Sequence, residues 1–290
     1  MITLTDIAYV RSGVADLDTA VDFAINIVGL TPVPTDEPGV AHVRADERGR
    51  CLTFVQGPSG VIAAGLRVGG FDELSDAETQ LEKLGISVTR GDAAGAASRG
   101  VGAYIGFDDP WGNRVELVAS QYLTADLLAP GRNAGITEYG HSCFDAPDVI
   151  GAGRFWTTVF NAKISDWVGD KACLLRIDPM HHKLAIFHGE RAALCHVNFQ
   201  VASHDDLFRN WHFLVDNGVE IIQGPGRHPT SGSAFVYFRG PENMTYEYAV
   251  GTRLITDDSA WTPRVFDPSL ASSIDMWRGP IAPTIRQPQL

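Results

Sequence analysis

The stretch "EYGHSCFDAPDVIGAGRFWTTVFNA" (residues 138–162) has a counterpart near the start of the chain, "DIAYVRSGVADLDTAVDFAINIVGL" (residues 6–30). Each segment reads as a short strand, a loop that ends near an Asp, and an amphipathic helix. Two later pairs of segments match at nearly the same separation, namely residues 61–88 with 193–221 and residues 101–120 with 232–251. A separation that stays nearly constant over three blocks indicates two homologous halves.

Within each half, the order of a strand, a helix and several further strands occurs twice, so that "EYGHSCF" opens one unit and "ALCHVNFQV" the next. We therefore predict an α+β fold of four βαβββ modules in two tandem homologous domains, each a curved mixed sheet with flanking helices. The predicted domains are residues 1–130 and 134–255, connected by the linker "LLAPGRNAG". The Pro-rich segment 256–290 is predicted to be a tail that lies on a surface or at an oligomer contact.

Composition excludes several classes of function. A chain of 290 residues is long enough for two domains, and a net charge of −12 without a basic face argues against a nucleic-acid partner. No apolar run approaches the ~20 residues of a membrane helix, and the N-terminus lacks the layout of a signal peptide. The four scattered cysteines fit free thiols in a reducing compartment. We expect a soluble, cytoplasmic protein with neither a nucleic-acid nor a membrane partner.

The two halves differ in their histidines, because only His42 of the nine lies in the first half. The repeat pairs four second-half residues with first-half counterparts: His141 with Tyr9, His182 with Arg50, His196 with Ala63, and Glu247 with Glu116. Packing of this scaffold therefore does not require imidazoles, which indicates a chemical role for them. Glu116 lacks neighbouring histidines and is expected to form a salt bridge instead.

The strand pattern predicts where these side chains point. In "CHVNFQV", His196, Asn198 and Gln200 share one face of the strand. His141 and His196 open adjacent modules and Glu247 closes the second, so the three can converge inside a curved sheet. Two imidazoles and one carboxylate on one side of an ion suit Fe(II) chemistry with O2, and zinc accepts the same ligands in hydrolases. The residues alone leave the metal open.

The other histidines carry weaker signals. His181 and His182 are adjacent on a strand and point in opposite directions, so one of them is expected to enter the cavity. Three others are predicted to be surface or helix-face residues: His188, His204 and His212. On their own, His228 and Tyr237 read as a loop histidine and a core tyrosine.

These residues resemble the type I extradiol ring-cleavage dioxygenases of the vicinal oxygen chelate superfamily, which include catechol and 2,3-dihydroxybiphenyl dioxygenases. The resemblance covers nearly the whole chain, and in this family only the second of two tandem domains is active. The family signature runs from a His through a Tyr and a Pro turn to a ligand Glu, and here it reads "HPTSGSAFVYFRGPENMTYE" (residues 228–247). The chain departs from the family at Gly240 and Asn243, which affects the shape of the turn more than the chemistry.

The resemblance implies a complete site. It assigns the metal ligands His141, His196 and Glu247, the acid–base residue His182, and His228 and Tyr237 as the pair that hydrogen-bonds substrate and intermediates. It also implies Fe(II), with Mn(II) as an alternative, a catecholic substrate, O2, and a homo-oligomer. The reaction would be meta ring cleavage in the degradation of aromatic compounds, on a monocyclic catechol or on a biaryl or polycyclic diol. His181 and His188 have no chemical role in this interpretation.

Two alternatives remain on the same scaffold. A glyoxalase-type isomerase or lyase would use a Zn or Ni site, commonly with more carboxylate ligands, and nothing in such a site requires His182. A metal-free binding protein that sequesters an antibiotic would lack the three ligands altogether.

Overall fold

The computed structural model describes residues 1–279 and 281 and contains two mixed β-sheets with a few flanking helices. The first half contains, in order, β1 (Leu4–Val14), α1 (Leu17–Asp22) with a π-helical turn (Phe23–Val28), β2 (Thr31–Val33), β3 (Val40–Arg44), β4 (Leu52–Gln56), β5 (Gly60–Val68), α2 (Phe71–Lys83), β6 (Thr89–Arg90), α3 (Ala93–Arg99), β7 (Val101–Asp108) and β8 (Arg114–Gln121).

The second half repeats this order, except that it lacks a counterpart of α3 and adds a short last strand. It contains β9 (Ile136–Ala146), α4 (Val149–Val159), β10 (Lys163–Val168), β11 (Ala172–Arg176), β12 (Leu184–His188), β13 (Ala193–Val201), α5 (His204–Asp216), β14 (Ile221–Arg227), β15 (Ala234–Arg239), β16 (Thr245–Val250) and β17 (Arg264–Phe266). Short 3-10 turns lie at Pro241–Asn243, Asp258–Ala260 and Ala271–Ser273.

The strand order shows how the modules combine. The first sheet runs β2-β3-β4-β1-β5-β8-β7-β6, and the second runs β14-β15-β16-β13-β9-β12-β11-β10-β17. In each module the first strand is parallel to the last, as β9 is to β12 and β13 is to β16. The opening strands of the two modules pair antiparallel at the centre of each sheet. The predicted α+β fold with mixed sheets is confirmed.

Local capping explains where the helices begin. The Asp16 side chain accepts a hydrogen bond from Thr19 N before α1, and Asp148 accepts one from Gly151 N at 2.8 Å before α4. Ser203 caps α5 in the same way. Each acceptor satisfies a backbone N–H that the first helical turn leaves without a partner. The Asp at the end of the loop in each repeat is therefore a helix cap.

The same residue pairings recur at the centre of the two sheets. Tyr9 pairs with Gly65 and Gly65 with Glu116 in the first sheet, and His141 pairs with Asn198 and Asn198 with Glu247 in the second. The repeat alignment therefore places its matched residues at matched positions of the two sheets.

The halves share one apolar core, since a single cluster of buried side chains runs through both. The segment between β8 and β9 contains no named strand or helix, and its Arg132 donates hydrogen bonds to Ile27 O, Asn210 Oδ1 and Tyr248 Oη. We propose the bounds 1–130 and 134–255 for the two domains because this connection separates their sheets.

The described part of the predicted tail, residues 256–279 and 281, packs on the second domain. Strand β17 pairs parallel with β10, and the backbone N–H groups of Arg227 and Trp277 both donate to the buried Asp275 carboxylate. The rest of the predicted tail, residues 280 and 282–290, lies outside the described residues. Among the residues that the structure describes, no helix is long and apolar enough to cross a membrane.

Candidate active site

Three side chains predicted to bind a metal meet on one face of the second sheet. His141 lies on β9, His196 on β13 and Glu247 on β16, and all three are buried. The two histidine Nε2 atoms are 2.9 Å apart, and Glu247 Oε2 lies 3.1 Å from His141 Nε2 and 3.2 Å from His196 Nε2. Because β13 pairs with both β9 and β16, the sheet itself brings these atoms together.

The geometry of this group fits a metal ion. Two ligand atoms at right angles around an ion with bonds of about 2.1 Å lie about 3.0 Å apart, which matches all three separations. Burial lowers the pKa of His141 to about 4, although Glu247 opposes this shift, so the imidazole is in its neutral, metal-binding form. Two imidazoles and one carboxylate form a set with an open opposite side, as non-haem Fe(II) sites require.

Cys143 offers a competing donor on the same face of β9. Its Sγ lies 3.2 Å from His196 Nε2, and the candidate ligand atoms of His141, Cys143 and His196 lie within 4.8 Å of one another. The set with Glu247 is tighter, and burial raises the pKa of the Cys143 thiol well above its usual range, which disfavours the thiolate. We therefore take His141, His196 and Glu247 as the candidate ligands.

A row of amides on β13 supports the carboxylate. Asn198 Nδ2 donates to Glu247 Oε2 at 2.8 Å, and Gln200 Nε2 donates to Asn198 Oδ1 at 3.0 Å. This is the polar row that the alternation of "CHVNFQV" predicts on the face of His196. Hydrogen bonds of this kind fix the orientation of a ligating side chain.

His182 enters the cavity, and His181 connects it to a buried carboxylate. The rings of His182 and His141 lie 4.4 Å apart, His182 Nδ1 lies 3.3 Å from His181 Nδ1, and His181 Nε2 lies 2.8 Å from Asp166 Oδ2. An ionised carboxylate only accepts, so His181 Nε2 carries the hydrogen and its Nδ1 accepts from His182 Nδ1. His182 Nε2 is then left with a free lone pair. Arg264 Nε also donates to Asp166, at 3.0 Å.

Sequence reasoning predicts that one of the two adjacent histidines enters the cavity, and His182 does so. It gives His181 no role and does not identify Asp166 or Arg264. No local signal connects these residues, because Asp166 and Arg264 meet through the pairing of β10 with β17, and His181 lies in the connection between β11 and β12.

The pair predicted from the signature, His228 and Tyr237, is also in contact. Tyr237 Oη lies 3.1 Å from His228 Nε2, and His228 Nδ1 lies 2.8 Å from Ile274 O. Because a carbonyl only accepts, Nδ1 carries the hydrogen and Nε2 accepts from the tyrosine. Burial raises the pKa of Tyr237 well above its usual range, so the phenol keeps its proton. Sequence reasoning does not identify Ile274, which belongs to the tail.

The remaining second-half histidines lie away from the triad. His204 and His212, both on α5, are exposed as predicted. His188, predicted to be on the surface, is half-buried at the end of β12 and lines the outer part of the cavity. That prediction is wrong because β12 pairs with β9 along its whole length and places its last residue at the cavity wall.

The turn before Glu247 accommodates the two departures from the family pattern. Asn243 has a φ of 60°, in the left-handed region that Asn adopts more readily than most residues. A Cβ at Gly240 would lie 2.4 Å from the ring of Tyr246, so glycine fits that position. The neighbouring Glu242 accepts a hydrogen bond from Ala15 N at 2.8 Å and connects the turn to the first domain.

A cavity of about 520 Å³ lies in front of the triad. The lining includes the buried His141, His182, His196 and Leu174 with the half-buried Phe187 and Tyr237, and we call the half-buried or exposed residues Asp145, His188, Gly189, Glu190 and Arg191 its outer part. This volume and this mixture of apolar walls with a few polar groups are typical of sites for small organic ligands.

The matching place in the first sheet is filled by an ion pair. Glu116 accepts hydrogen bonds from Tyr9 Oη at 2.7 Å and from Arg99 Nε and Nη2 at 2.7 and 2.6 Å. Arg99 ends α3, which has no counterpart in the second half. Glu116 therefore forms the expected salt bridge, and a guanidinium stands where a metal would lie.

Comparison with known proteins agrees with this geometry. The sequence profile of the Glyoxalase/Bleomycin resistance protein/Dioxygenase superfamily matches residues 138–248. A biphenyl-2,3-diol 1,2-dioxygenase from Paraburkholderia xenovorans (strain LB400) is 28% identical over 275 residues, which cover 89% of this chain and 91% of that protein.

Two solved structures superpose over nearly the whole chain. A halotolerant catechol dioxygenase does so with a TM-score of 0.88 and 25% identity, covering 97% of this chain and 96% of that one. A Mn(II)-bound glyoxalase from Novosphingobium aromaticivorans does so with a TM-score of 0.88 and 26% identity, covering 98% and 94%. Residues 138–248 therefore match a domain of the Glyoxalase/Bleomycin resistance protein/Dioxygenase superfamily, and nearly the whole chain is similar to extradiol dioxygenases, as the signature predicts.

Proposed function

We propose that this protein is an extradiol dioxygenase that cleaves the ring of a catechol beside its two hydroxyl groups, using Fe(II) and O2, in the degradation of aromatic compounds. The observation that carries the proposal is the group of three ligand atoms within 3.2 Å of one another, next to a buried histidine at the wall of a 520 Å³ cavity. The related biphenyl-2,3-diol dioxygenase supports the same reaction class.

His141, His196 and Glu247 would hold the metal. An Fe(II) ion bound there would supply Lewis acidity toward the diol and a common site for diol and O2. We propose Fe(II) rather than Mn(II) because the donor set, two imidazoles and one carboxylate, is the one that non-haem iron oxygenases use. Reconstitution with each metal tests this choice.

The protein side chains move and hold protons. His182 is positioned to accept a diol proton at Nε2, because its Nδ1–H is committed to His181. Burial lowers the pKa of His182 well below the ordinary imidazole value, so its side chain is neutral before the diol binds and can accept a proton. His228 and Tyr237 form a hydrogen-bonded pair at the cavity wall and are proposed to bind the diol oxygens. The Tyr237 hydroxyl would turn from His228 Nε2 to a diol oxygen, and His228, once protonated at Nε2, would donate to the developing negative charge.

The likeness to a Mn(II)-bound glyoxalase supports a second candidate function, a metal-dependent isomerase or lyase. Such a reaction would not consume O2, and it gives no role to the chain of hydrogen bonds from Asp166 to His182. The other alternative, a metal-free binding protein, gives no role to the three converging ligands.

Oxygen uptake separates these functions. Metal-free protein is loaded anaerobically with Fe(II), Mn(II) or Zn(II), mixed with catechol, 3-methylcatechol or 2,3-dihydroxybiphenyl, and exposed to O2. We expect one O2 consumed per diol and a yellow product with Fe(II), and neither with Glu247→Gln. Isomerisation of a hemithioacetal by the Mn(II) form, without O2 uptake on any diol, would favour the glyoxalase-type reaction.

We also propose that the protein works in the cytoplasm as a homo-oligomer. Its four cysteines are free, which suits a reducing compartment. Light scattering on the purified protein tests the oligomeric state, and a monomer at micromolar concentration would contradict that part of the proposal.

A further inference from the structure

We propose that Asp145 selects the substrate by accepting a hydrogen bond from a donor group, a hydroxyl or an ammonium, on the substituent of the catechol. The inference rests on the proposed function, since it takes the diol end of the ligand to lie at the triad. The proposed contact joins Asp145 to the substituent of the catechol, at the end of the cavity away from the triad.

Asp145 shares a wall with the metal site. His141, Cys143 and Asp145 occupy alternate positions of β9, so their side chains point to the same face, and all three line the cavity. Four residues of strand span about 13 Å, which is longer than one aromatic ring. A diol held at the triad can therefore reach Asp145 only through a second ring or a short side chain.

The carboxyl group of Asp145 has no partner of its own. Within residues 1–279 and 281 it forms no hydrogen bond or ion pair, and burial is the only influence that shifts its pKa, raising it to about 7. The fully buried acids Asp166 and Glu116 have partners: Asp166 is bonded to His181 and Arg264, and Glu116 to Arg99. Asp145 is half-buried, so its carboxylate is only partly solvated, and a donor on a ligand would stabilise it.

The neighbouring backbone leaves this carboxyl group open to the cavity. A Cβ at Gly189 would lie 2.8 Å from Asp145 Cβ and 3.1 Å from Asp145 Oδ2, so any other residue there would crowd the carboxyl group. Gly189 itself lines the cavity. Asp145 therefore packs directly against a glycine that itself lines the cavity, and no side chain at position 189 covers the carboxyl group.

The Asp145 carboxyl group itself favours donors over acceptors. The exposed Glu190 and the exposed Arg191 line the same outer part of the cavity with opposite charges that offset each other, so Asp145 decides the preference there. An ammonium group would bind the ionised carboxylate, whereas a hydroxyl group would bind either form. A carboxylate or other anionic substituent would be disfavoured.

Binding of matched diols to the metal-loaded protein without O2 tests the inference. Calorimetry would compare 3- and 4-substituted catechols that carry an ethyl, a 2-hydroxyethyl or a 2-aminoethyl group, for the wild type, Asp145→Leu and Asp145→Asn. We expect at least one donor diol to bind the wild type about tenfold more tightly than its ethyl counterpart, and Asp145→Leu to abolish that preference. Comparison of the hydroxyl and ammonium arms identifies the donor.

Glu190→Gln is the matched control, because it removes a carboxylate from the same end of the cavity. The ratio that matters is the dissociation constant of an ethyl catechol divided by that of its hydroxyl or ammonium counterpart. The inference would be overturned if this ratio were the same in the wild type and Asp145→Leu, or if only Glu190→Gln lowered it. Cleavage is measured separately after O2 is admitted. Diols that bind with the expected preference but are not cleaved would overturn the proposed function and leave the role of Asp145 standing. Failure of every diol to bind would contradict both.

Discussion

At the scale of single residues, the proposed metal ligands are His141, His196 and Glu247, and Cys143 is the competing donor that must be excluded. We predict that His196→Ala and Glu247→Gln lose tightly bound iron, because each variant lacks one of the three ligand atoms that lie 2.9–3.2 Å apart. Cys143→Ala should keep the iron of the wild type. Iron is measured by mass spectrometry after anaerobic loading and gel filtration. Iron retained by Glu247→Gln but lost from Cys143→Ala would identify the thiol as the third ligand.

His181 is predicted to position His182 without touching substrate or metal. His181→Phe removes the acceptor for His182 Nδ1–H and leaves the tautomer of His182 unfixed. We expect kcat to fall by roughly a hundredfold, the scale of general acid–base catalysis, with iron content and KM little changed. Steady-state kinetics of the iron-loaded variant measure this split. A variant with wild-type kcat would show that the contact between the two histidines is structural only.

Asp145 gives a pH dependence whose sign follows from its raised pKa. The folded protein holds this group at a pKa of about 7, above the ordinary value of 3.8 in the unfolded chain. Ionisation in the folded state is therefore disfavoured, and the stability lost to it grows from about pH 4 to about pH 7 and is complete above that. Asp145→Asn should unfold at higher urea concentration than the wild type at pH 8 and at the same concentration at pH 4.

The gain for Asp145→Asn at pH 8 is expected to be roughly 1 to 4 kcal/mol. Both proteins must carry the same metal during unfolding, because bound metal stabilises the folded state independently. A difference that is equal at the two pH values would mean that the carboxyl group is not held neutral by burial.

At the scale of elements, helix α3 explains why the first domain keeps a glutamate but needs no metal. Arg99, at the end of this helix, forms two hydrogen bonds with the buried Glu116. We predict that Arg99→Met destabilises the protein by about 3 kcal/mol, because it leaves a buried carboxylate without its cation. The double variant with Glu116→Gln should recover most of this loss in urea unfolding. Loss of iron from Arg99→Met would contradict the conclusion that the ion pair of the first domain is independent of the metal site in the second.

The elements also show which parts of the site the sequence could predict. The repeat places Tyr9 and His141 at equivalent positions because both sheets pair their strands in the same register, so comparison of the halves reveals the substituted residues. Asp166, Arg264 and Ile274 could not be predicted in this way. They reach the site through the tail and through β10, and no repeat or periodic pattern carries that proximity.

At the scale of the whole molecule, the second domain carries the candidate site, and the first domain packs against it and holds it in place. The shared apolar core, the contacts of Arg132 and the hydrogen bond from Ala15 to Glu242 hold the second sheet against the first. The tail then lies on the second domain, where Ile274 accepts a hydrogen bond from His228. One sheet thus carries the candidate site, while the first domain and the tail fix the positions of its turn and of one histidine.

The most direct test of ring cleavage at this site is isotopic. The Fe(II)-loaded protein is mixed with 2,3-dihydroxybiphenyl under ¹⁸O₂, and the product is trapped by borohydride reduction before its carbonyl oxygen can exchange with water. Mass spectrometry should show a ring-opened product that contains two ¹⁸O atoms, one at each end of the cleaved bond. A product without ¹⁸O, or a quinone formed without oxygen insertion, would contradict extradiol cleavage.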